Sequence, residues 1–301
     1  MYDRKLNDRL LQINARYQEL LHSNAFEAQN KNKRYLNNLK KVDFGSIWKD
    51  LKYRQYAKRH FSTNGNNVKS NEKQQDLKGK KIAVYTCIVG NYDHLLEPVY
   101  KEPDVDYLIF TDQEIPNEST WKKINIQEDG EYNTLSPMMM NRKIKIQQCD
   151  ELLKYDYTVY VDGNIEMVAA VSPMIECMGK TSVGLHYHRG RDCIYDEAVA
   201  VKHLKRIKGE KIDKQLESYK AEGFPVHFGL FENSMIIRDN RDTTMLELMN
   251  KWWEEFQKHP TRDQFSLPYI IWKTKYDRDK LFILGNDIER NPVFNRIGEH
   301  R

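Results

Sequence analysis

The sequence has 301 residues but only four cysteines, and it lacks long apolar runs. Cys87, Cys149, Cys177 and Cys193 lie far apart and form no CxxC pair, which argues against a disulfide framework and against a zinc knuckle. No apolar run approaches the roughly 18 residues of a membrane-spanning helix. The first thirty residues contain no uninterrupted apolar segment of the kind found in signal peptides. These absences favour a reducing compartment, and we expect a cytoplasmic protein.

Several catalytic and binding motifs are also absent. The sequence contains neither GxxxxGK followed by Ser or Thr nor GxGxxG, so a P-loop and a Rossmann dinucleotide site are weak interpretations. It has no serine nucleophile elbow and no Cys/His nucleophile pattern. No helix-turn-helix, RNA-binding or zinc-finger pattern supports nucleic-acid binding.

Apolar and aromatic residues are plentiful enough for a sizeable core. Hydrophobic residues make up 40% of the chain and aromatic residues 11%, which excludes a wholly disordered protein. The net charge of +4 hides an asymmetry. Residues 1–80 carry 18 Lys and Arg against 8 Asp and Glu, whereas residues 81–301 carry 30 against 36. A basic N-terminal segment therefore precedes an acidic main domain.

Apolar residues at the start of the basic segment follow a helical spacing. They alternate steps of four and three positions, which predicts one apolar helix face or, over two heptads, a short coiled coil. Further apolar patterns run through residues 35–42 and 47–61, the latter mixed with Lys and Arg. The residues of the first stripe are Leu6, Leu10, Ile13, Tyr17 and Leu20.

The basic segment ends in a stretch rich in Asn, Ser, Gln and Lys, which indicates a linker. We therefore expect a basic helical extension at residues 1–61, a linker at 62–79 and a main domain at 80–301. The extension has three interpretations. In the first, its helices pack on the main domain or on a second copy of the chain. In the second, its basic surface holds the protein near anionic lipid headgroups or a polyanionic acceptor. In the third, it binds nucleic acid.

The main domain alternates short apolar, β-branched runs with helical patterns, which indicates an α/β sheet covered on both faces. The predicted strands are residues 81–87, 107–111, 157–161, 181–186, 234–238 and 281–284. The predicted helices are residues 137–153, 196–208 and 243–256.

Polar residues follow the predicted strands, and ligands gather at such strand ends in α/β sheets. Asp93 lies in the segment after the first strand, Asp112 follows the second, and Asp162 and Asn164 follow the third. A carboxylate and a second oxygen-bearing side chain, separated by Gly163, suit a hard divalent cation. The same tripeptide is also good β-turn chemistry, so a structural turn is the alternative. The fourth strand leads into the cationic residues His186, His188, Arg189 and Arg191.

Three more polar groups have both a functional and a structural interpretation. The cationic cluster after the fourth strand, with Glu197 nearby, either recognises a diphosphate or sugar or is surface charge. Arg142 and Lys145 share one face of a predicted helix and contact either phosphate or solvent. Asp263 and Gln264 stand at a predicted helix start, where Asp263 is either a site residue or a helix cap.

Six motifs occur together in a recognisable order over about residues 80–290. They are Tyr85-Thr-Cys-Ile-Val-Gly-Asn-Tyr-Asp93, Phe110-Thr-Asp112, Tyr160-Val-Asp-Gly-Asn-Ile-Glu166, His188-Arg-Gly-Arg-Asp-Cys-Ile-Tyr-Asp-Glu-Ala198, Gly229-Leu-Phe-Glu-Asn-Ser-Met-Ile-Ile-Arg238 and Arg262-Asp-Gln-Phe-Ser266. In this order they resemble the glycosyltransferase-like domain of the plant mucilage-related and turgor-related proteins and their bacterial relatives. The resemblance implies a type A glycosyltransferase fold, a mixed α/β sheet flanked by helices, here with an N-terminal helical extension.

The resemblance also implies roles for individual residues. Asp162 corresponds to the metal-binding aspartate of a modified DxD motif, in which Asn164 replaces the second Asp, and we expect His188 to complete the set around Mn²⁺ or Mg²⁺. Asp263 and Gln264 resemble the Asp-Gln pair beside the donor sugar in glycogenin-like retaining transferases, and they are the expected catalytic residues. The expected donor-binding residues are Tyr85, Thr86, Asp93, Asp112, Arg142, Lys143, Arg189 and Glu197.

We therefore expect a glycosyltransferase of polysaccharide biosynthesis that moves a sugar from a nucleotide-sugar donor, expected to be a UDP-sugar, to a glycan acceptor. Metal assistance and retention of anomeric configuration are part of this expectation. The alternatives are a catalytically silent glycan-binding module and a nucleic-acid-binding protein that acts through the basic arm. Through residues 1–61 we expect either peripheral attachment at the inner face of the membrane or self-association.

Overall fold

The computed structural model describes residues 3–23, 44–64, 74–126, 132–204 and 209–297. The apolar pattern at residues 35–42 and the centre of the expected linker, residues 65–73, lie outside these described residues. The central sheet consists of β1 (Ile82–Ile88), β2 (Val105–Thr111), β3 (Lys122–Asn125), β4 (Tyr157–Val161), β6 (Val183–Tyr187), β7 (Phe231–Asp239) and β8 (Leu281–Gly285). A separate two-stranded ribbon consists of β5 (Ile165–Met167) and β9 (Phe294–Arg296).

Helices occupy both the N-terminal segment and the main domain. The N-terminal segment contains α1 (Arg4–Leu21) and α2 (Phe44–His60). The helices of the main domain are α3 (Pro137–Ile146), α4 (Asp150–Leu153), α5 (Ser172–Met178), α6 (Ile194–His203), α7 (Gly209–Ala221), α8 (Thr243–Lys258) and α9 (Asp263–Lys273).

The strand order in the central sheet is β3-β2-β1-β4-β7-β6-β8. Neighbouring strands are parallel except at β7, which runs antiparallel to both β4 and β6. Val161 is paired with Met235, and His186 is paired with Glu232. The first residues of β7 therefore lie at the edge where the parallel strands end.

Both faces of the sheet are covered by apolar packing. On one face the buried side chains of α3 and α6 to α9 form the larger cluster, which includes Trp252 and Phe265. On the other face α5 and the ribbon contribute Ile175, Met178 and Phe294. Burial of each such side chain contributes about 1.5–3 kcal/mol. The expected class, a mixed α/β sheet flanked by helices with an N-terminal helical extension, is confirmed.

The six predicted strands correspond to β1, β2, β4, β6, β7 and β8. The short strands β3, β5 and β9 and the helices α5 and α7 were not predicted. The helix predicted at residues 137–153 is divided into α3 and α4, because the chain is extended at Gln147, where ψ is 139°. The predicted helices near residues 196 and 243 correspond to α6 and α8.

The apolar stripe predicted on α1 is exposed except at half-buried Leu10. Ile13 is 67% exposed and Leu20 is 70% exposed. The face that packs on the main domain is shifted by one position, and it is mainly polar, with Leu11 as a half-buried apolar contact. Its buried residues are Asn7, Asn14 and Gln18.

Amide side chains attach α1 to backbone groups of the main domain, which explains why the polar face is the buried one. Nδ2 of Asn14 donates to the carbonyl of Pro292 at 2.8 Å. Nε2 of Gln18 donates to the carbonyl of Phe294 at 2.7 Å. Buried carbonyls need such donors, and an apolar face could not supply them.

The last residues of the N-terminal segment also lie against the main domain. The ring of Tyr53 stacks on His203 of α6 with a centroid distance of 4.1 Å. Nδ2 of Asn64 donates to the carbonyl of Arg191 at 3.0 Å, and its Oδ1 accepts from the amide of Leu230 at 3.0 Å. In the described ranges, no helix is both long enough and apolar enough to cross a membrane.

The start of α8 carries a charged cap whose loss we expect to destabilise the protein. Asp242 accepts a hydrogen bond from the amide of Thr244 at 2.8 Å and one from Nζ of Lys280 at 2.7 Å. Burial alone would raise the pKa of this carboxyl, but hydrogen bonds from Lys280, Ser182 and Thr244 hold the pKa well below its ordinary value.

We expect Asp242→Ala to lower the free energy of unfolding by about 1–2 kcal/mol at neutral pH. The contribution of the charge is present above the unfolded-state pKa of about 3.9 and is lost as the pH falls below it. In urea denaturation, the difference between wild type and variant should therefore shrink in acid. Asp242→Asn keeps the capping oxygen without the charge and should lose less. Equal stability of Asp242→Ala and wild type at neutral pH would contradict the assignment.

Candidate active site

Polar side chains gather at the edge of the sheet where β1, β4 and β6 end. Asp162 follows β4, and His188 follows β6. Because β7 runs in the opposite direction, Glu232 at its beginning lies at the same edge, beside His186. This edge therefore combines the ends of parallel strands with the start of an antiparallel one.

Lys145 joins the two carboxylates that the sequence singled out. Its Nζ lies 3.1 Å from Oδ1 of Asp162 and 2.8 Å from Oδ2 of Asp263. The hydroxyl of Tyr160 donates to the same oxygen of Asp162 at 2.8 Å. The Lys145 side chain is only 3% exposed, so water and salt screen these ion pairs weakly. Buried Arg238 donates to the carbonyl of Lys145 at 2.5 Å and fixes its backbone.

Neighbouring charges set the ionisation of Asp263. Burial alone would raise its pKa, but the cations of Lys145 and Arg142 hold that pKa well below the ordinary value. Nε of Arg142 lies 3.8 Å from Oδ2 of Asp263. Burial would lower the pKa of Arg142, whereas Asp263 and Asp162 raise it, and the net change is upward. Asp263 is therefore a carboxylate and a weak base. It is the first residue of α9 and not its cap, which is Arg262.

A cavity of about 260 Å³ opens beside Asp162, and we call it the Asp162 cavity. Its walls come from the segment after β1, the start of α3 and the turn after β4. The start of a helix carries free amide groups and partial positive charge, which attract anions. Lining residues include Gly90, Asp93, Pro137, Arg142, Asp162 and Gly163.

Two glycines allow the walls of this cavity to approach closely. A Cβ on Gly163 would lie 3.0 Å from Oδ2 of Asp93, so the Asp93 carboxylate lies directly against the turn that carries Asp162. A Cβ on Gly90 would lie 2.9 Å from Cβ of Pro137, and Gly90 has a φ of +67°. A larger residue at either position would displace a wall.

Asp112 and Asn141 brace the loop after β1. Oδ2 of Asp112 accepts from the amide of Gly90 at 3.0 Å. Nδ2 of Asn141 donates to the carbonyl of Cys87 at 2.7 Å. Asn141 also lines the Asp162 cavity, whereas Asp112 does not line it and contacts it only through Gly90.

Glu197 gathers the cationic residues that follow β6. Nε of Arg191 donates to its Oε2 at 2.5 Å, and Nε2 of His188 lies 3.6 Å from the same oxygen. Arg262 lies 3.6 Å from its Oε1. Burial lowers the pKa of His188 and outweighs the opposite effect of Glu197.

Gln264 connects this cationic group to the start of β7. Its Nε2 donates to Oε2 of Glu232 at 3.1 Å, and its Oε1 accepts from Arg262. Arg296 of β9 lies 3.6 Å from Oε1 of Glu232. Because Asp263 and Gln264 are consecutive, the start of α9 contacts Lys145 with one side chain and Glu232 with the next.

A second cavity, of about 320 Å³, lies on the side of Glu232, and we call it the Glu232 cavity. Its walls carry charges of both signs. Arg189 donates to Oε2 of Glu289 at 2.9 Å and lies 3.5 Å from Oδ2 of Asp287. Arg189 therefore lines a different cavity from Arg142. The other charged or ionisable residues that line it are His188, Arg191, Glu232 and Arg296.

Three residues expected to bind the donor lie in the core instead. The hydroxyl of buried Tyr85 accepts from Arg238 at 2.7 Å. Thr86 is buried on the opposite face of β1. Lys143 is 6% exposed, and its Nζ lies 5.3 Å from the ring centroid of Tyr132. None of the three lines either cavity.

Asp162 and Asp93 supply oxygen ligands of the kind that Mn²⁺ and Mg²⁺ prefer, and both line the Asp162 cavity. The contacts of Asp162 use Oδ1, and no contact to Oδ2 is seen within the described part of the chain. Asn164 is half-buried in the same turn. His188 lines the other cavity and contacts Glu197. The oxygen donors therefore fit a hard cation, whereas His188 lies apart from them.

Glu232 and Arg296 were not among the expected site residues. Glu232 stands in one of the six motifs, at the start of an otherwise apolar strand, and that placement is a usable signal. In a parallel sheet the site residues follow the strands. Glu232 precedes its strand, because β7 is antiparallel, so a search of the residues after strands does not find it. Arg296 lies in a three-residue strand that no sequence pattern marks.

A larger cavity, of about 580 Å³, lies at the opposite edge of the sheet. It is lined by residues of α8 and of the segment after α9, including Thr244, Lys251 and Lys280. None of the expected site residues lines it. Volume alone does not identify a functional site, and the smaller cavities are favoured because residues of the sequence motifs, including Asp93, Asp162 and Glu232, line them.

Comparison with known families identifies a match over most of the chain. The profile described as TOD1/MUCI70, glycosyltransferase-like domain, matches residues 53–299. This range contains both cavities and begins within α2. A comparison with the curated proteins yields no match.

The solved structures that are similar to this chain include three glycosyltransferases, all at low identity. The apo WbbM bifunctional glycosyltransferase has a TM-score of 0.40 and 10% identity, with 71% of this chain and 40% of that chain covered. GlyE from Streptococcus pneumoniae TIGR4 has a TM-score of 0.34, 12% identity and coverages of 68% and 45%. The mannosyltransferase Ktr4p from S. cerevisiae has a TM-score of 0.33, 10% identity and coverages of 74% and 71%. This chain thus spans less than half the length of the first two.

Proposed function

The chain belongs to the TOD1/MUCI70 glycosyltransferase-like domain family, and on that premise we propose that it transfers a sugar from a nucleotide-sugar donor to a glycan acceptor. One observation carries the proposal. Lys145 joins Asp162 and Asp263 at the strand ends, beside a cavity suited to an anion. A UDP-sugar is the expected donor.

The donor diphosphate is proposed to lie in the Asp162 cavity. Pro137 and Met138, the first two residues of α3, line it, so the amide of Met138 and the partial positive charge of that helix start lie beside the ligand. Arg142 adds a fixed positive charge that stabilises the leaving diphosphate as the bond breaks. The volume of about 260 Å³ is slightly below the ~300–1,000 Å³ of most ligand pockets and suits the diphosphate with part of the donor.

Asp162 and Asp93 are the residues proposed to hold Mn²⁺ or Mg²⁺, with Asn164 in the same turn. A bound cation would neutralise the charge on the departing nucleoside diphosphate. Lys145 already balances part of the Asp162 charge, which supports a modest metal affinity. Lys145 also holds Asp162 and Asp263 in fixed positions relative to each other.

The Glu232 cavity is proposed to take the acceptor glycan. Its carboxylates accept hydrogen bonds from sugar hydroxyls, and its guanidinium groups donate to them. The start of α9 stands between the cavities, because Asp263 contacts Lys145 while Gln264 contacts Glu232. Asp263 and Gln264 would therefore orient the donor sugar toward the acceptor hydroxyl.

Retention of anomeric configuration is part of the proposal. A direct inverting displacement needs a general base, and a carboxylate with a lowered pKa is a poor one. Asp263 is such a carboxylate, since Lys145 and Arg142 hold its pKa down. NMR of the anomeric proton in the first product tests this point, and a product of inverted configuration would overturn it.

The proposed function is tested with a panel of nucleotide sugars, with and without Mn²⁺. A donor at 100 times its Kd should stabilise the fold by about 2.7 kcal/mol, which appears as a higher Tm. The same donor should release its nucleoside diphosphate during incubation. Arg142→Gln should weaken donor binding. Binding without turnover would favour the silent glycan-binding module, and absence of binding across the panel would contradict the donor site.

The exposed apolar stripe of α1 supports a role in attachment, either to a membrane surface or to a second copy. It consists of Leu6, Ile13, Tyr17 and Leu20, which are 44–70% exposed. The double variant Ile13→Asp and Leu20→Asp should keep the fold, since both side chains face solvent. It should lose self-association in analytical ultracentrifugation or binding to anionic vesicles. A wild-type chain that is monomeric and does not bind vesicles would exclude this role. A location at the inner face of the membrane remains a prediction.

A further inference from the structure

A cluster of metal-ligand side chains lies at the start of α6, outside both cavities. Cys193 directly precedes α6, Asp196 lies in its first turn, and His227 belongs to the loop before β7. One ligand atom of each lies within 4.8 Å of the others. Among the residues that the structure describes, this is the one group of three His, Cys, Asp or Glu side chains with that geometry.

Two of these side chains are buried, and the third reaches the surface. Cys193 is 3% exposed and Asp196 is 6% exposed, whereas the His227 side chain is 47% exposed. The exposed imidazole beside two buried ligand side chains gives a cation a path from solvent.

Neighbouring polar groups hold the cluster in place. Nδ1 of His227 lies 2.8 Å from Oδ1 of Asp192, and the hydroxyl of Ser62 donates to the same carboxylate oxygen at 2.7 Å. The hydroxyl of Tyr56 donates to Oδ1 of Asp196 at 3.3 Å. Such outer contacts orient metal ligands, and their loss weakens metal binding about 10–100-fold.

We propose that Cys193, Asp196 and His227 form a Zn²⁺ site. Thiolate, imidazole and carboxylate are all zinc ligands, whereas Mg²⁺ and Mn²⁺ prefer oxygen. Zinc bonds of about 2.0–2.3 Å place tetrahedral ligand atoms roughly 3.3–3.8 Å apart. The three ligand atoms lie within 4.8 Å of one another, so a small movement toward the ion would complete the geometry. Binding releases the thiol proton of Cys193 to solvent, and a fourth position is left for water.

The site would fasten the N-terminal segment to the main domain. Tyr56 and Ser62 come from that segment, and they contact Asp196 and Asp192 beside the proposed ion. Zinc would thus act structurally, at a place and with ligands different from those proposed for sugar transfer. The inference does not depend on the proposed function.

Cobalt titration of the chelator-treated full chain tests the site. Co²⁺ bound to a thiolate gives a charge-transfer absorption in the near ultraviolet. We expect one Co²⁺ per chain with this absorption, displaced by Zn²⁺, and a fall in Tm when the metal is removed. Cys193→Ser should lose the absorption. Cys177→Ser, which changes a free and half-buried cysteine outside the cluster, should keep it.

His227→Asn tests the same site without risk to the core. The ring is largely exposed, and Asn tolerates the φ of +55° at this position. We expect Co²⁺ affinity to fall at least about tenfold and the metal-dependent part of Tm to shrink. No thiolate absorption in the wild type, an unchanged absorption in Cys193→Ser, or an unchanged affinity in His227→Asn would each overturn the proposal.

Discussion

Asp162→Ala is expected to reduce sugar transfer at least about a hundredfold while the protein stays folded. Asp162 lines the Asp162 cavity and is proposed to hold the cation at the donor diphosphate. Its side chain is 27% exposed, and Lys145 keeps its contact with Asp263 in the variant, so little stability should be lost. Initial rates with the donor found in the panel, together with the thermal midpoint, measure the two effects separately.

Two companion variants sharpen this result. Asp162→Asn keeps the size of the side chain and its contact with Tyr160 but removes the charge, so it should lose nearly as much activity as the Ala variant. Asp150→Asn changes an exposed carboxylate in the first turn of α4 and should leave the rate unchanged. Turnover of Asp162→Ala equal to that of wild type would remove Asp162 from the proposed mechanism.

Lys145→Met is expected to lower the free energy of unfolding by about 3–5 kcal/mol. The ammonium group of Lys145 stands between two carboxylates, and one of them, Asp263, is buried. The other cation near Asp263, Arg142, is farther away, with its Nε at 3.8 Å from Oδ2. Removal of the Lys145 ammonium group leaves the buried Asp263 carboxylate without its nearest compensating charge, and little water is available to solvate it. Methionine fills a similar volume, so the loss measures charge and not a cavity. Urea denaturation at neutral pH gives the value.

The matched control is Lys251→Met. Lys251 pairs with Glu254 on the exposed side of α8, and such pairs contribute at most about 1 kcal/mol. A double-mutant cycle adds Asp263→Asn to Lys145→Met. Because the neutral amide needs no compensating charge, the double variant should regain part of the stability that the single variant loses. If Lys145→Met were as stable as Lys251→Met, the buried ion pairs would have no energetic role.

Much of the site could be predicted from local sequence. Asp162 and Asp93 follow apolar strands, and both line the cavity at the strand ends, because carboxyl ends of parallel strands meet at one edge. Asp263 and Gln264 stand at the start of α9, as the sequence indicated. These residues are recognisable because each stands next to an element with a clear apolar pattern.

Other parts of the site depend on contacts between distant segments. Tyr85 and Thr86 are the first two residues of a motif in the sequence, yet both side chains are in the core, since residues within a strand face the packed layers. Arg142 and Arg189 were expected to act together, but they line different cavities. The apolar periodicity of a strand or helix predicts which of its faces is buried. It does not predict which cavity the charged residues of a neighbouring loop will line.

The sequence by itself determined the α/β class, the six main strands and the charged residues that follow them, because apolar periodicity and strand-end chemistry are local properties. Tertiary structure alone decided the direction of β7, which brings Glu232 to the site, and the polar face by which α1 is bound. It also decided which groups Lys145 joins and that His227 meets Cys193 and Asp196. Each of these depends on hydrogen bonds or ion pairs between segments far apart in the chain, which form only when the sheet has been assembled.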